Sequence, residues 1–215
     1  MTASEPVTRA GMQRDAETGA FRDVRRQRDR ETGLTQVTIA PGEYYVTAAI
    51  DEALVTILGS CVAVCMRDPV IGVGGMNHFL LAESASGDWG GVSAVTRYGN
   101  HAMETLINDI IALGGVRSRF EVKVFGGGHV IDSSMAIGQK NVEFAERYLE
   151  NEGMPIAAKH VGGFHPRRIH YFPRTGKVQM LQLRRGTDEA VFKAEMEFKR
   201  RIAIKPVDGG VDLFD

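Results

Sequence analysis

From Gln36 to Ala40 polar and apolar residues alternate, the two-residue period of a strand with one buried face. Pro41-Gly42-Glu43 has the composition of a turn, and a second strand is expected over Tyr44 to Ile50. Val55 to Leu58, Val62 to Met66 and Ile71 to Leu81 read as three more. Gly59 ends the first of these, and Arg67-Asp68-Pro69 turns between the other two. The period then lengthens. Ala102, Leu106, Ile110 and Leu113 recur at helical spacing between Thr96 and Leu113, and Gly114-Gly115 stops the run. Phe120 to Phe125 is a strand leading into Gly126-Gly127-Gly128. Asn141 to Asn151 is a helix with Val142, Ala145 and Leu149 along one face. Ile156 to Val161, Arg168 to Phe172 and Val178 to Leu183 are expected as closing strands. Val191, Ala194, Phe198 and Ile202 stripe a last helix over roughly Thr187 to Ile202. Strands first, then strands mixed with helices, favour a layered α/β or α+β domain.

Residues 1 to 33 break this pattern. Arg22, Arg25, Arg26, Arg28 and Arg30 are interleaved with Asp15, Glu17, Asp23, Asp29 and Glu31, and no apolar residue recurs with a core-facing period. A mobile arm, or at most a solvated helix, is expected there. Three segments result: the arm over 1–33, a folded domain over 34–185, and a C-terminal helix and tail over 186–215.

Composition narrows the function classes. The chain has 215 residues, 43% hydrophobic and 25% charged, enough for one ordinary globular domain. A formal net charge of -1 gives no electrostatic reason to expect nucleic acid. The longest apolar runs are far too short for a bilayer, and the charged N-terminus is no secretory signal, so a cytoplasmic protein without membrane insertion is expected. Two cysteines, Cys61 and Cys65, in a reducing compartment suit a reactive thiol or core packing, not a disulfide.

Cys61 sits where a strand leaves the Gly59-Ser60 corner, which would hold its sulfur at a rim. If residues 62–66 and 71–81 pair as neighbours, the far end of the second strand returns beside the start of the first. His78 then comes near Cys61, as a thiolate–imidazole pair needs, with the imidazole lowering the thiol pKa. One Cys and one His close in sequence also arise by chance, and buried free Cys is common. Cys65, flanked by Val64 and Met66, reads as inert packing. A zinc finger built on Cys61, Cys65 and His78 lacks its fourth ligand, which belongs about three to five residues after the third. Ala82, Glu83 and Ser84 stand there. Gly126-Gly127-Gly128 lacks a Walker-type Gly-Lys-Ser/Thr and reads as a tight turn or a wall of the substrate site. His101, His165 and His170 read as surface or loop histidines.

Beyond the residues themselves, the chain resembles the CheD family of chemoreceptor glutamine deamidases. Leu58-Gly59-Ser60-Cys61-Val62-Ala63-Val64 and Gly74-Gly75-Met76-Asn77-His78-Phe79-Leu80-Leu81 carry the resemblance. So do Arg97 to Met103, Lys123 to Gly128 and Ile137 to Val142, in unbroken order between about Thr35 and Leu183. The resemblance implies a single α/β (α+β) domain, a three-layer sandwich of mixed, largely antiparallel sheets and helices. It implies a Cys61–His78–Thr56 triad that hydrolyses protein glutamine to glutamate with release of ammonia, through a cysteine thioester. Backbone N–H groups of Gly59 and Ser60 would stabilise the oxyanion. No cofactor and no metal are implied. Methyl-accepting chemotaxis receptors would be the protein substrate, with a CheC-like phosphatase as a second partner. Two rivals stay open at this point: a non-catalytic adaptor docking on receptors or on such a phosphatase, and methylesterase activity on receptor glutamates.

Overall fold

The computed structural model describes residues 12–15, 21–23, 25–30, 32–81, 94–129, 135–183, 193–198 and 200. Along them run β1 (Met12–Asp15), β2 (Phe21–Asp23), β3 (Arg26–Arg28), β4 (Thr35–Thr38), β5 (Glu43–Thr47), β6 (Glu52–Leu58), β7 (Val62–Asp68) and β8 (Val73–Asn77). There follow α1 (Ala94–Ala112), β9 (Glu121–Gly126), α2 (Met135–Asn151), β10 (Ile156–Val161), β11 (Arg167–Phe172) and β12 (Lys177–Gln182).

The burial of β7 explains the layering. Val62, Val64 and Met66 project to one side and pack with Met103, Leu106, Ile107 and Ile110 of α1 and Phe144 and Leu149 of α2. Ala63 and Cys65, with Cys61 just before them, project to the other side and meet Leu54, Leu58, Ile169 and Tyr171. A strand of alternating side chains with both faces covered needs a layer above and a layer below. The sheet containing β7 has the order β10-β9-β7-β8-β5-β1-β2, and the second sheet has β12-β11-β6-β4-β3. Both helices lie on the first sheet, and the second sheet covers its other face. All neighbours are antiparallel except β9 with β10 and β4 with β6. This is the single α+β domain of helix, sheet and sheet layers, with mixed and mainly antiparallel sheets, that the family resemblance implies. Each large apolar side chain fully withdrawn from water stabilises it by about 1.5–3 kcal/mol.

Two segments differ from the sequence expectation. Within the stretch read as an arm, β1 pairs with β2 and β5, and β3 pairs with β4. The neighbours of β3 explain why no apolar period marks it. Arg26, Gln27 and Arg28 are all exposed, and an edge strand needs only backbone pairing on one side. Arg26 adds a hydrogen bond to the Tyr45 hydroxyl at 2.7 Å and an ion pair with Glu52 at 3.3 Å. The last helix, expected over 187 to 202, falls within the described residues only at 193–198 and 200. Instead of lying outside the domain, it places Phe198 in the core between the sheets. Its position bears directly on the site.

Candidate active site

Cys61 occupies the corner between β6 and β7, and three hydrogen bonds set the orientation of that corner. The Gly59 carbonyl accepts from the Gly128 N–H at 2.7 Å, and the Cys61 carbonyl accepts from the Gly127 N–H at 2.7 Å. Between them the Ser60 carbonyl accepts from Asn141 Nδ2 at 2.9 Å. With the Gly59 and Ser60 carbonyls committed to the glycine turn and α2, the N–H groups of Ser60 and Cys61, in the same planar peptides, are turned the other way, and that of Gly59 joins them. They converge on one place. The carboxylate of Glu195, from residues 193–198, is seated there. Its Oε1 accepts from Gly59 N at 2.9 Å and Cys61 N at 3.2 Å. Its Oε2 accepts from Ser60 N at 3.1 Å and from the Ser60 hydroxyl at 2.6 Å.

The histidine arrives by strand register. Residues Cys65 and Met76 are paired across β7 and β8, and an isolated bridge joins Val62 to Phe79. Antiparallel pairing therefore brings His78 opposite Ala63, on the face shared with Cys61. A ring nitrogen of His78, the Cys61 sulfur and a Glu195 oxygen all lie within 4.8 Å of one another. Thr56 reaches the same ring from the opposite sheet, with Oγ1 2.8 Å from His78 Nδ1.

Proton counting gives the tautomer. The Thr56 hydroxyl has a single hydrogen, and it is donated to the Ile39 carbonyl at 2.7 Å. Oγ1 must then accept from Nδ1–H, so the imidazole carries its proton on Nδ1 and presents a bare Nε2. That Nε2 is buried and has no hydrogen-bond partner among the described residues. Nδ1 being taken, Nε2 is the nitrogen free to receive a proton.

Sequence reasoning expected a thiol with a lowered pKa. In this arrangement the opposite holds. Burial pushes the Cys61 thiol well up, and the Glu195 carboxylate pushes it further in the same direction. Burial lowers the His78 imidazole to about 4, against the opposing pull of Glu195. Thiol and imidazole are both neutral here. Cys61 is 0% exposed and His78 2%, so the sulfur is buried between the sheets and not held at a rim. Cys65 packs between the sheets on the same face, with its thiol also pushed up by burial.

Gly59, Ser60, Cys61, Thr56 and His78 are all brought together, and two contributors escaped the sequence reading. Asn141 is wholly buried and joins the site to the helix layer, because its Oδ1 also accepts from Leu81 N at 2.8 Å. Its signals were its place in the Ile137 to Val142 motif and a polar side chain at the head of a helical apolar pattern. Glu195 stands three positions before Phe198, on the apolar side of its helix, and a carboxylate there was the corresponding sign. Cys61, His78 and Glu195 are residue types that hold metal ions. Both Glu195 oxygens are turned to the four donors of the corner instead.

A hydroxyl from one sheet, an imidazole and a thiol from the other, and a cup of backbone donors beside the thiol together have the form of a cysteine-hydrolase centre between two β-layers. The chain belongs to the CheD family. Residues 80–182 match the family model described as CheD chemotactic sensory transduction. A relative from Rhodopseudomonas palustris (strain BisA53), named "Probable chemoreceptor glutamine deamidase CheD", is 53% identical over 89% of this chain and 90% of its own length. Relatives of the same name from Halorhodospira halophila, 45% identical, and Saccharophagus degradans, 46% identical, each cover 90% of this chain and 91% of their own. Among solved structures, the Bacillus licheniformis hypothetical protein YfiH aligns with a TM-score of 0.36 at 17% identity, covering 54% of this chain and 49% of that one.

Proposed function

We propose that this protein deamidates glutamine side chains of chemoreceptors, with Cys61 as nucleophile, His78 as acid and base, and Thr56 as the residue that orients His78. The observation that carries this is the Thr56–His78 hydrogen bond, which leaves a bare Nε2 on a ring that has a nitrogen within 4.8 Å of the Cys61 sulfur, beside three convergent N–H groups. The relatives named chemoreceptor glutamine deamidase supply the substrate class.

The reaction follows from these atoms. Nε2 takes the thiol proton, and the resulting thiolate attacks the carboxamide carbon of a receptor glutamine. Charge developing on the carbonyl oxygen is met by the N–H groups of Gly59 and Cys61, with that of Ser60 alongside. The imidazolium returns its proton to the departing nitrogen, the C–N bond breaks, and ammonia leaves a thioester. Water, deprotonated by Nε2, then cleaves the C–S bond and releases glutamate and the free thiol. A pair held neutral at rest suits this, because the ion pair forms only as the proton moves. A methyl ester of glutamate could enter the same thioester, and comparing methanol with ammonia release ranks the two substrates.

No helix among the described residues is long and apolar enough to cross a membrane. A cytoplasmic location and a CheC-like phosphatase as second partner extend the proposal on the family resemblance; co-elution of the two purified proteins checks the latter. Incubation with a chemoreceptor fragment should add about one dalton per modified glutamine by mass spectrometry, with ammonia released in equal amount. An adaptor that only docks would leave the receptor mass unchanged.

Thr56→Val keeps the side-chain shape and removes the Nδ1 acceptor. Nδ1 would keep only its long contact with the Ile39 carbonyl, at 3.5 Å, among the hydrogen bonds it makes to described residues. The variant should lose about 10- to 100-fold in kcat with KM little changed, since Thr56 touches the imidazole and not the substrate. An unaltered kcat would remove Thr56 from the triad.

A further inference from the structure

The product of glutamine deamidation is a glutamate side chain at the thiol, and the site holds one already. Glu195 places its carboxylate on the three N–H groups of residues 59–61 and on the Ser60 hydroxyl, with an oxygen within 4.8 Å of the Cys61 sulfur and a His78 nitrogen. We propose that Glu195 is a built-in product mimic, by which the C-terminal segment occupies the substrate glutamine subsite and holds the enzyme closed. This rests on the deamidase activity proposed above and deepens it by assigning a regulator to the same site.

Three independent features support it. First, the seat is selective for the product. Oε2 receives both the Ser60 N–H and the Ser60 hydroxyl, and a carboxylate oxygen, acceptor only, takes both at once. Second, the fit is close. A Cβ at position 59 would lie 2.9 Å from Glu195 Oε1, so the glycine is what admits the carboxylate to the corner. Third, the segment has its own anchor. Phe198, one helical turn on, is 5% exposed, in the core between the sheets and against Gly42. Glu195 and its anchor belong to this segment, whereas the triad belongs to β6, the corner before β7 and the residue after β8.

The seated carboxylate also identifies the subsites. The Oε1 position, between Gly59 N and Cys61 N, is where the substrate carbonyl oxygen would lie. The Oε2 position, beside Ser60 Oγ, is where ammonia departs and water enters. The Glu195 backbone is helical, so the cleft accepts a side chain presented from a helix.

Two full-length variants test this. In Glu195→Ala the seat loses its occupant. Alkylation of Cys61 by iodoacetamide at pH 8 and deamidation of a chemoreceptor fragment should both speed up by roughly tenfold or more over the native chain. Equal or slower rates would overturn the proposal, and a slower receptor reaction would make Glu195 part of the catalytic apparatus instead. Glu195→Gln presents a substrate side chain in place. Water and the carboxamide should give glutamate and ammonia through the Cys61 thioester, so the isolated protein should regain the native mass, about one dalton heavier than encoded. Adding Cys61→Ala should preserve the encoded mass. If the introduced glutamine persists while the same preparation deamidates the receptor fragment, the product-mimic assignment fails and the enzyme stands. If neither glutamine is converted, the deamidase proposal itself falls. Should Glu195→Ala fold poorly, Phe198→Ala loosens the segment without touching the donors, and the same increase in alkylation is expected.

Discussion

Cys61→Ala is expected to abolish chemoreceptor deamidation, by at least about a thousandfold, while leaving a folded protein. The two halves have separate physical grounds. The sulfur is the atom that forms the thioester, and neither His78 nor the backbone donors can replace it. Structurally the change deletes a single buried atom between the sheets, at a cost on the order of 1 kcal/mol, or about 2–4 °C in Tm for a chain of this size. Mass spectrometry of the receptor fragment checks the first half, and a melting curve checks the second. Undiminished turnover would refute the nucleophile assignment, and collapse of the fold would show Cys61 to be principally a packing residue.

Gly126→Ala should do the reverse, damaging both fold and site through a residue with no chemistry of its own. Gly126 ends β9 opposite Val62 and has a φ of 113°. A Cβ there would run into the Cys61 carbonyl oxygen and come within 3.0 Å of Val62 Cα. Both neighbours are backbone of a buried strand, so neither can yield cheaply. The strained dihedral and the contact together should cost about 3 kcal/mol or more, lowering Tm by more than about 6 °C. The relief available is movement of the Cys61 peptide, which would tilt the donor cup, so kcat should fall in whatever fraction stays folded. A variant as stable and active as the native chain would mean that the glycine turn does not set the corner.

Local pattern carried far in this protein. The alternation in β4, the apolar runs of β7 and β9 and the stripe of α1 were legible because each element meets its neighbours with a regular face. Irregular elements were harder. β1 and β3 join their sheets by backbone pairing, and backbone pairing leaves no trace in side-chain order. The start of α2 at Met135, six residues before the expected Asn141, lies where no apolar period announces it.

The site divides along the same line. Cys61 and His78 could be named from neighbouring strands, since residues close in sequence on paired strands meet by register alone, and Thr56, on the opposite sheet, from motifs resembling a family. Asn141 and Glu195 could not, standing 81 and 135 positions from their partner Ser60. Order along the chain determined which strands form, which face of β7 bears the sulfur, and that an imidazole lies within reach of it. The protonation of that pair was settled only when distant segments packed, because ionisation depends on solvent exclusion and on a carboxylate brought from the far end of the chain. No local pattern encodes either of these.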